Sequence, residues 1–346
     1  MANWKKLKTS PHLWDKIFIK EKTIHAIRKF FELRNYHELE SPILATALPQ
    51  EHYLNPVTTT FSLKGKEPKT LYLIPSTERF NKIALAAGIG EHFVITKVFR
   101  GLEDVSPNHS PEFTMLEWYH LDANYFDLMD DCEELLNFIF SEINPKNSPQ
   151  LIYQGQKIDL RPGWDKINLV KALKEWSGIE LPNIQDVVAF RKKMISKGYS
   201  IDDNDDWEIL FELLFANEIE PRLAVNKPSF VYNYPKQLCP LTRLNKENPL
   251  VAEKVELYIA GKELANGYTE LLNGFELEKN FKAEEQARAE IKKEPIAFDH
   301  ELIEALKSGM PKVAGIGMGL DRLAMLFADA ASLEEVNLFP GTELLN

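Results

Sequence analysis

Apolar and polar residues alternate along this chain with two different periods, which predict interleaved helices and strands. Residues 17–34 place apolar side chains at helical spacing between charged ones, which indicates an amphipathic helix. Residues 36–44 are typical of a short strand that ends at Pro42, because proline cannot donate to a central strand ladder. Residues 70–88 begin as a strand and continue as a helix as far as Gly88.

The clearest pattern is a long antiparallel hairpin. Residues 92–103 and 113–121 are both strand-like, and the polar segment 106–110 separates them. A helix with an acidic first half follows at residues 125–143.

The pattern changes at about residues 145–225, where helical segments such as 186–198 and 206–220 carry apolar faces of their own. We therefore predict a helical insertion there. The remaining predicted elements are strands at 229–235 and 254–272, a charged helix at 276–293 and a helix–strand–helix unit at 299–330. Strands interleaved with helices, with hairpins among them, predict an α+β fold around a mostly antiparallel sheet flanked by helices.

Composition and charge narrow the class of protein. The 346 residues are 44% hydrophobic and 27% charged, as in an ordinary globular protein. The absence of a membrane-spanning apolar run and of a signal peptide predicts a cytoplasmic enzyme without membrane association. Cys132 and Cys239 lack metal-ligand spacing and indicate buried free thiols. The net charge of −11 counts against extensive nucleic-acid binding, because phosphate contacts need basic surface.

The return strand of the hairpin carries the first group of candidate functional residues. Phe113, Met115, Glu117 and Tyr119 share one face of this strand. A half-buried strand does not usually hold a carboxylate without a cationic partner, so Glu117 with the Tyr119 hydroxyl suits an ammonium group. Arg100 ends the first strand, and taken alone it is typical of a surface charge.

A second group lies in the strand pair at 254–272. Glu256 and Glu263 bracket a hairpin-like Gly261. Two carboxylates brought together across a turn repel unless a cation lies between them, and Mg²⁺ on a nucleotide polyphosphate is the simplest candidate. A pair of solvated charges on a hairpin is the alternative. The polar residues that share one face of the second strand are Asn266, Tyr268 and Glu270.

The third group is the glycine-rich strand that enters the last predicted helix. It matches neither of the common phosphate-loop patterns. Gly315, Gly317 and Gly319 alternate and would leave one strand face clear for a flat ligand or another backbone. Arg322, at the start of the following helix, could reach a phosphate, although a lone arginine there is more often a surface residue.

Together and in this order, these segments closely resemble motifs of class II lysyl-tRNA synthetases, over residues 15–340. "FRGLE…NHSPEFTMLEWY" resembles the second signature motif, "VELYIAGKELANGYTEL" the metal-and-substrate strand, "GIGMGLDRLAMLF" the third motif, and "LESPIL", with Pro42, the first motif, which forms a dimer interface. The stretches "HSPEFTMLEWY" and "LIEALKSGMP" are especially similar to the elongation factor P–lysine ligases, which are stand-alone paralogues without the anticodon-binding domain.

This resemblance implies a fold and a function. The fold would be a single class II synthetase-like catalytic domain over residues 1–346, without an N-terminal anticodon-binding barrel and paired as a homodimer. The enzyme would be an ATP-dependent ligase that activates lysine or β-lysine to an aminoacyl adenylate. It would then transfer the acyl group to a lysine side chain of elongation factor P, with tRNA not expected as a partner.

The resemblance also implies roles for individual residues. Arg100 and Arg322 would be catalytic, with Arg100 on the α-phosphate and the substrate carboxylate. The implied ATP contacts are Arg100, Glu103 (adenine), His109 (terminal phosphates), Phe113 (stacked under adenine), Glu256, Glu263 and Arg322, with Mg²⁺ on Glu256 and Glu263. The implied lysine contacts are Ser76, Glu78 (α-amino group), Glu117, Tyr119 and Glu270 (ε-ammonium), Asn266 (carboxylate), Tyr268 and Gly317.

Some positions depart from the family pattern and keep alternatives open. An additional residue separates Arg100 from Glu103, and Pro107 stands where the family usually has a basic residue. Gly317 stands where β-lysine-type paralogues tend to carry alanine, whereas Ser76 is paralogue-like, so both lysine isomers remain candidates. The alternatives are a truncated lysyl-tRNA synthetase that charges tRNA, or a catalytically silent synthetase-like amino-acid-binding regulator.

Overall fold

The computed structural model describes residues 3–101, 106–145, 149–202 and 205–344. The α-helices are α1 (Asn3–Thr9), α2 (Trp14–Leu33), α3 (Glu78–Ala86), α4 (Tyr125–Ile143), α5 (Leu169–Ala172), α6 (Val187–Ser196), α7 (Trp207–Leu214), α8 (Gly274–Glu290), α9 (His300–Ser308), α10 (Leu320–Phe327) and α11 (Gly341–Leu344). The strands are β1 (His37–Glu38), β2 (Leu44–Ala45), β3 (Val57–Phe61), β4 (Lys69–Leu73), β5 (His92–Phe99), β6 (Glu112–Leu121), β7 (Gln150–Tyr153), β8 (Gln156–Asp159), β9 (Asp165–Asn168), β10 (Ser229–Pro235), β11 (Val251–Ile259), β12 (Lys262–Thr269) and β13 (Val313–Gly319).

A mixed sheet organises the fold. Within the described ranges it has eight strands in the order β1-β5-β6-β13-β12-β11-β10-β9. The outer pairs β1–β5 and β10–β9 are parallel, and the pairs between them are antiparallel. Strands β2, β4 and β3 form a smaller sheet, and β7 pairs with β8. The prediction of an α+β fold with a mostly antiparallel sheet is confirmed.

The predicted hairpin is β5–β6, which pairs in antiparallel register from His92 with Tyr119 to Phe99 with Glu112. The predicted strand at 36–44 was too long. Only β1 pairs with β5 at the edge of the sheet, and the chain leaves the sheet before Pro42. Proline offers no N–H to a ladder, which is consistent with its position outside the strand.

The two faces of the central strands have different surroundings. On one face, Leu116 and Trp118 of β6 are fully buried against α2 and α4. Helix α4 starts at a capping box, in which the Asn124 side chain accepts from the first turn and the Asp127 carboxylate accepts from the Asn124 amide at 2.7 Å. The alternating residues of β6 point to the opposite face, which is where the candidate site lies.

The segment predicted as a helical insertion is helical only from Leu169 onward. Its first part forms the β7–β8 hairpin and β9, which joins the main sheet. Gln154 and Gly155 both adopt positive φ in the two-residue turn between β7 and β8, and this turn type suits the twist of a hairpin. The helical part buries its own apolar core against residues of β10 and β11.

Both cysteines are buried and free, as the sequence predicted. Burial raises the pKa of Cys239 to about 12, so this thiol stays protonated near neutral pH. Among the helices of the described residues, none has the length and the apolar character that crossing a membrane requires.

Candidate active site

A cavity of about 500 Å³ lies on the face of the sheet that α2 and α4 leave uncovered. This volume is in the range of small-molecule sites. Alternate residues of β6, β12 and β13 form part of its lining, and the starts of α3 and α10 contribute further side chains. Period-two alternation therefore explains why Phe113, Met115, Glu117 and Tyr119 reach the cavity together.

Most residues predicted for the site line this cavity. Glu256 does not line it, and Glu103 lies outside the described residues. The predicted residues in the lining are Ser76, Glu78, Arg100, His109, Phe113, Glu117, Tyr119, Glu263, Asn266, Tyr268, Glu270, Gly317 and Arg322.

An internal lysine lies among the carboxylates that were predicted to bind a substrate ammonium. Lys82 on α3 is fully buried and forms ion pairs with Glu78, one turn earlier, and with Glu270 at 2.7 Å. The Tyr268 hydroxyl donates to Glu78 Oε1 at 2.6 Å. No sequence pattern singled out Lys82, although its i,i+4 spacing from Glu78 on a predicted helix was an available signal. Glu78 and Glu270 therefore already share one ammonium inside the protein.

Glu117 has neutral hydrogen-bond donors rather than a cation beside it. It accepts hydrogen bonds from the Thr77 amide at 2.6 Å and from Asn81 Nδ2 at 3.1 Å. The Tyr119 hydroxyl is at 3.5 Å, a weak contact. Burial raises the pKa of Glu117 to about 7, even though the Thr77 and Asn81 donors oppose that shift. Hydrogen bonds thus hold the carboxyl group in place, and it takes part in no ion pair among the described residues.

Carboxylates outnumber cations at this end of the cavity. Glu78, Glu117 and Glu270 face one internal ammonium, that of Lys82. Burial raises the pKa of Glu270 to about 8, the Lys82 charge opposes the shift, and Glu78 and Glu117 add to it. Burial disfavours the Lys82 charge, but Glu270 and Glu78 outweigh burial and raise the pKa of Lys82. This acidic end therefore favours either bound protons or an additional cation.

The other end of the cavity is basic. The Arg100 guanidinium lies 5.4 Å from the centre of the Phe113 ring, within cation–π range. Arg322 donates from Nε to the Asn108 carbonyl at 3.2 Å and from Nη1 to the Glu263 carbonyl at 2.8 Å. Phe113 precedes Glu117 by four residues on β6, so the basic and acidic ends are about 13 Å apart along the strand.

The two carboxylates predicted to hold Mg²⁺ have different partners. Glu256 pairs with Lys254 at 2.9 Å and accepts from the Tyr234 and Tyr258 hydroxyls at 2.5 and 2.8 Å. The Glu263 carboxylate has no such partner among the described residues. Burial raises the pKa of Glu263 to about 7, and the Glu256 charge adds to the shift.

The carboxylates of Glu256 and Glu263 fit Mg²⁺ only if polyphosphate oxygens complete its coordination. Glu263 offers a hard oxygen donor that has no ion-pair partner among the described residues, while Glu256 is already paired with Lys254. Mg²⁺ is commonly held by one or two carboxylates together with phosphate oxygens and water. Within the described part of the chain, no three His, Cys, Asp or Glu side chains are grouped to hold a metal by themselves.

Gly315 and Gly317 differ in the space beside them, which predicts opposite responses to alanine. A Cβ on Gly315 would lie 2.5 Å from the Tyr119 ring, whereas one on Gly317 would lie 3.5 Å from Met115 Sδ, an ordinary contact. We expect G315A to lower the free energy of unfolding by about 1–3 kcal/mol. G317A should stay within about 0.5 kcal/mol of the wild type. Urea denaturation of both variants measures the difference, and equal stabilities would contradict this packing.

The sequence-based interpretation of the glycines was therefore only partly right. Gly315 makes room for the Tyr119 ring and the Glu270 carboxylate rather than for a ligand. Gly317 and Gly319 face the cavity with space for a Cβ, as the expectation of a clear strand face requires.

Glu51 also lines the cavity, and the sequence analysis did not identify it. Glu51 is exposed to solvent at the cavity, and the charged residues Glu78 and Arg100 lie near enough to influence it. The chain around it, residues 47–56, forms neither helix nor strand, so no periodic pattern pointed to it. Its carboxylate adds to the negative charge around the cavity.

Comparisons with known proteins agree on one family. The family model described as tRNA synthetases class II (D, K and N) matches residues 3–343. The lysine–tRNA ligase of Carboxydothermus hydrogenoformans is 32% identical over 331 residues, which cover 96% of this chain and 66% of that protein.

Two further relatives give the same result. The lysine–tRNA ligase of Moorella thermoacetica is 31% identical over 96% of this chain and 66% of its own length. The lysine–tRNA ligase of Chloroflexus aurantiacus is 32% identical over 92% of this chain and 63% of its own length. The chain thus spans a little under two thirds of the length of these relatives.

Proposed function

Because the chain belongs to the class II tRNA synthetases (D, K and N), we propose that it activates lysine or β-lysine with ATP. The amino-acid carboxylate would attack the α-phosphorus of ATP, and pyrophosphate would leave. A lysine amine of elongation factor P would then attack the acyl carbonyl of the adenylate. AMP would leave, and the acceptor nitrogen would lose its proton as the amide forms.

The two-ended cavity is the observation that carries this proposal. A diamino acid bears two ammonium groups, and the acidic end holds carboxylates in excess of cations. ATP bears a polyphosphate, and the basic end holds Arg100 and Arg322 beside the Phe113 ring. An uncharged amino acid would leave the excess negative charge at this end without a cation, so the site would reject it.

Positioning and charge neutralisation would provide most of the catalysis. Arg100 would bind the α-phosphate and the substrate carboxylate, and Arg322 would bind phosphate from α10. Phe113 would stack under adenine. Glu263, with Glu256 behind it, would hold Mg²⁺, which when bound would neutralise polyphosphate charge.

The substrate ammonium groups would lie at the acidic end. Glu78 would take the α-amino group, and Glu117 and Glu270 would take the ε-ammonium. The side chains proposed to complete the lysine site are Ser76, Tyr119, Asn266, Tyr268 and Gly317. His109 would approach the terminal phosphates.

Two acceptors compete for the second step. The similarity of residues 109–119 and 302–311 to elongation factor P–lysine ligases favours a protein lysine. tRNA is the second candidate, because the relatives above are named lysine–tRNA ligases. The net charge of −11 weakens general attraction to RNA and places tRNA second.

Two assays test the proposal in order. Lysine-dependent ATP–pyrophosphate exchange tests activation, and its absence with α-lysine and with β-lysine would leave only a silent amino-acid-binding regulator. Labelled lysine offered to elongation factor P and to tRNA in one reaction tests the acceptor. Label on elongation factor P is the expected result, and label on tRNA alone would overturn that choice.

We also infer a homodimer, as the first signature motif implies. Leu33 and Ile43, which flank β1 near this motif, are 65% and 42% exposed and offer apolar surface to a second copy. Light scattering at micromolar concentration measures the mass, and a monomer would overturn the inference.

Lysine affinity should depend on pH. Glu117 and Glu270 have pKa values raised to about 7 and about 8, so both are largely protonated in the empty cavity at pH 6. A substrate ammonium needs them ionised, so we expect lysine to bind about 10-fold more weakly at pH 6 than at pH 8. Titration calorimetry in two buffers should detect proton release near pH 7. A pH-independent affinity would contradict the charge assignment.

The raised pKa values of Glu117 and Glu270 also make the stability of the empty protein depend on pH. This stability falls as the pH rises, whereas lysine affinity increases. A carboxyl group whose pKa is raised in the folded protein stabilises the fold while it is protonated. This stabilisation has its full value below pH 4.5, the ordinary pKa of the group in the unfolded chain. This contribution is lost as pH rises through about 7 and 8. Lysine should therefore raise the melting temperature more at pH 8 than at pH 6.

A further inference from the structure

Two cations hold one residue of the 106–110 loop from different sides. Lys262, at the start of β12, donates from Nζ to Asn108 Oδ1 at 3.1 Å. Arg322, at the start of α10, donates to the Asn108 carbonyl at 3.2 Å. Asn108 and the next residue, His109, both line the cavity. The hairpin β11–β12 and helix α10 thus fix the same short stretch of the cavity wall.

These two cations have no carboxylate partner in the described part of the chain. Arg322 donates to backbone carbonyls, and Lys262 donates to an amide oxygen. Burial and the nearby Arg322 charge both lower the pKa of Lys262. Two neighbouring positive charges that form no ion pair among the described residues favour an anion beside them.

We propose that Lys262 is a positioning residue for the terminal phosphates of ATP. It fixes Asn108, and through it His109, and it adds a second positive charge beside Arg322. The inference rests on the proposed ATP chemistry and identifies a residue that the motif resemblance did not assign. Within the loop itself, Pro107 offers no charge, so the neighbouring hairpin supplies the cation from outside the loop.

Binding of ATP and of AMP to the purified protein tests this role. K262A should weaken ATP binding by about 10-fold, the loss expected for one charge-assisted contact. AMP lacks the terminal phosphates, so its affinity should change by less than about 2-fold. K262R keeps the charge and a donor, and should bind ATP within about 3-fold of the wild type.

A double-mutant cycle separates positioning from charge alone. If Lys262 acts through Asn108, the effects of K262A and N108A on ATP affinity should be non-additive. Fully additive effects would overturn the positioning role, as would equal losses of ATP and AMP affinity or an unchanged ATP affinity in K262A. A wild-type protein that binds no ATP would instead overturn the proposed function on which the inference rests.

Discussion

Replacing Glu117 by glutamine should lower kcat/KM for lysine in ATP–pyrophosphate exchange by about 10²–10³-fold, with ATP affinity unchanged within about 2-fold. The magnitude corresponds to about 3–4 kcal/mol, in the lower part of the range for losing one partner of a buried ion pair. Glutamine keeps an oxygen for the Thr77 amide, which donates to Glu117 at 2.6 Å, so the strand should keep its place. It removes the charge that the proposed ε-ammonium needs. Exchange kinetics at varied lysine, with separate ATP titrations, measure both effects.

E112Q is the matched control for this variant. Glu112 lies on the same strand, and its side chain is 39% exposed in a surface ion pair with Lys97, so neutralising it should alter exchange by less than about 2-fold. The ammonium assignment would be wrong if E117Q retained wild-type kcat/KM for lysine. Parallel losses of lysine activation and ATP binding would point to a structural role for Glu117 instead.

Strand periodicity explains how much of this site the sequence predicted. The alternation along β6 predicted that Phe113, Met115, Glu117 and Tyr119 share a face, and all four line the cavity. The β5–β6 hairpin and α4 were predicted because their patterns are long and local, and α4 also begins at a capping box.

Strand periodicity does not predict contacts between elements that are far apart in the sequence. The partners of Glu117 come from the start of α3, 36 and 40 residues earlier in the chain, and one of them is a backbone amide without any side-chain signal. Lys82 on α3 pairs with Glu270, which follows β12 much later in the chain. Such contacts depend on how separate elements pack, so a single sequence without a structure does not reveal them.

The sequence analysis also missed the partner of Glu256, although that partner is local. The sequence predicted that Glu256 and Glu263 needed a cation, and the structure pairs Glu256 with Lys254, two residues earlier on the same strand. A β-bulge-like register shift opposite Leu257 and Tyr258 leaves Leu264 without a partner and changes the local alternation of β12. Strict period two therefore does not describe this hairpin.

Replacing Lys82 by methionine should lower the free energy of unfolding by about 3–5 kcal/mol near pH 8. Lys82 is fully buried between Glu78 and Glu270, so its loss would leave buried carboxylates facing each other without a cation. Methionine keeps the length of the side chain, so packing should change little. Urea denaturation measures the loss. K192M, on the exposed side of α6, is the control and should change stability by less than about 0.5 kcal/mol.

The destabilisation by K82M should shrink as the pH falls. The pKa of Glu270 is already raised to about 8 with Lys82 in place, and removing the ammonium raises it further. The folded variant therefore binds protons more tightly than the unfolded chain, so its stability falls as pH rises above about 4.5. The double variant K82M/E270Q removes a charge from each side and should recover part of the loss at pH 8. Equal stabilities of K82M and the wild type at pH 8 would show that the buried carboxylates do not need this ammonium.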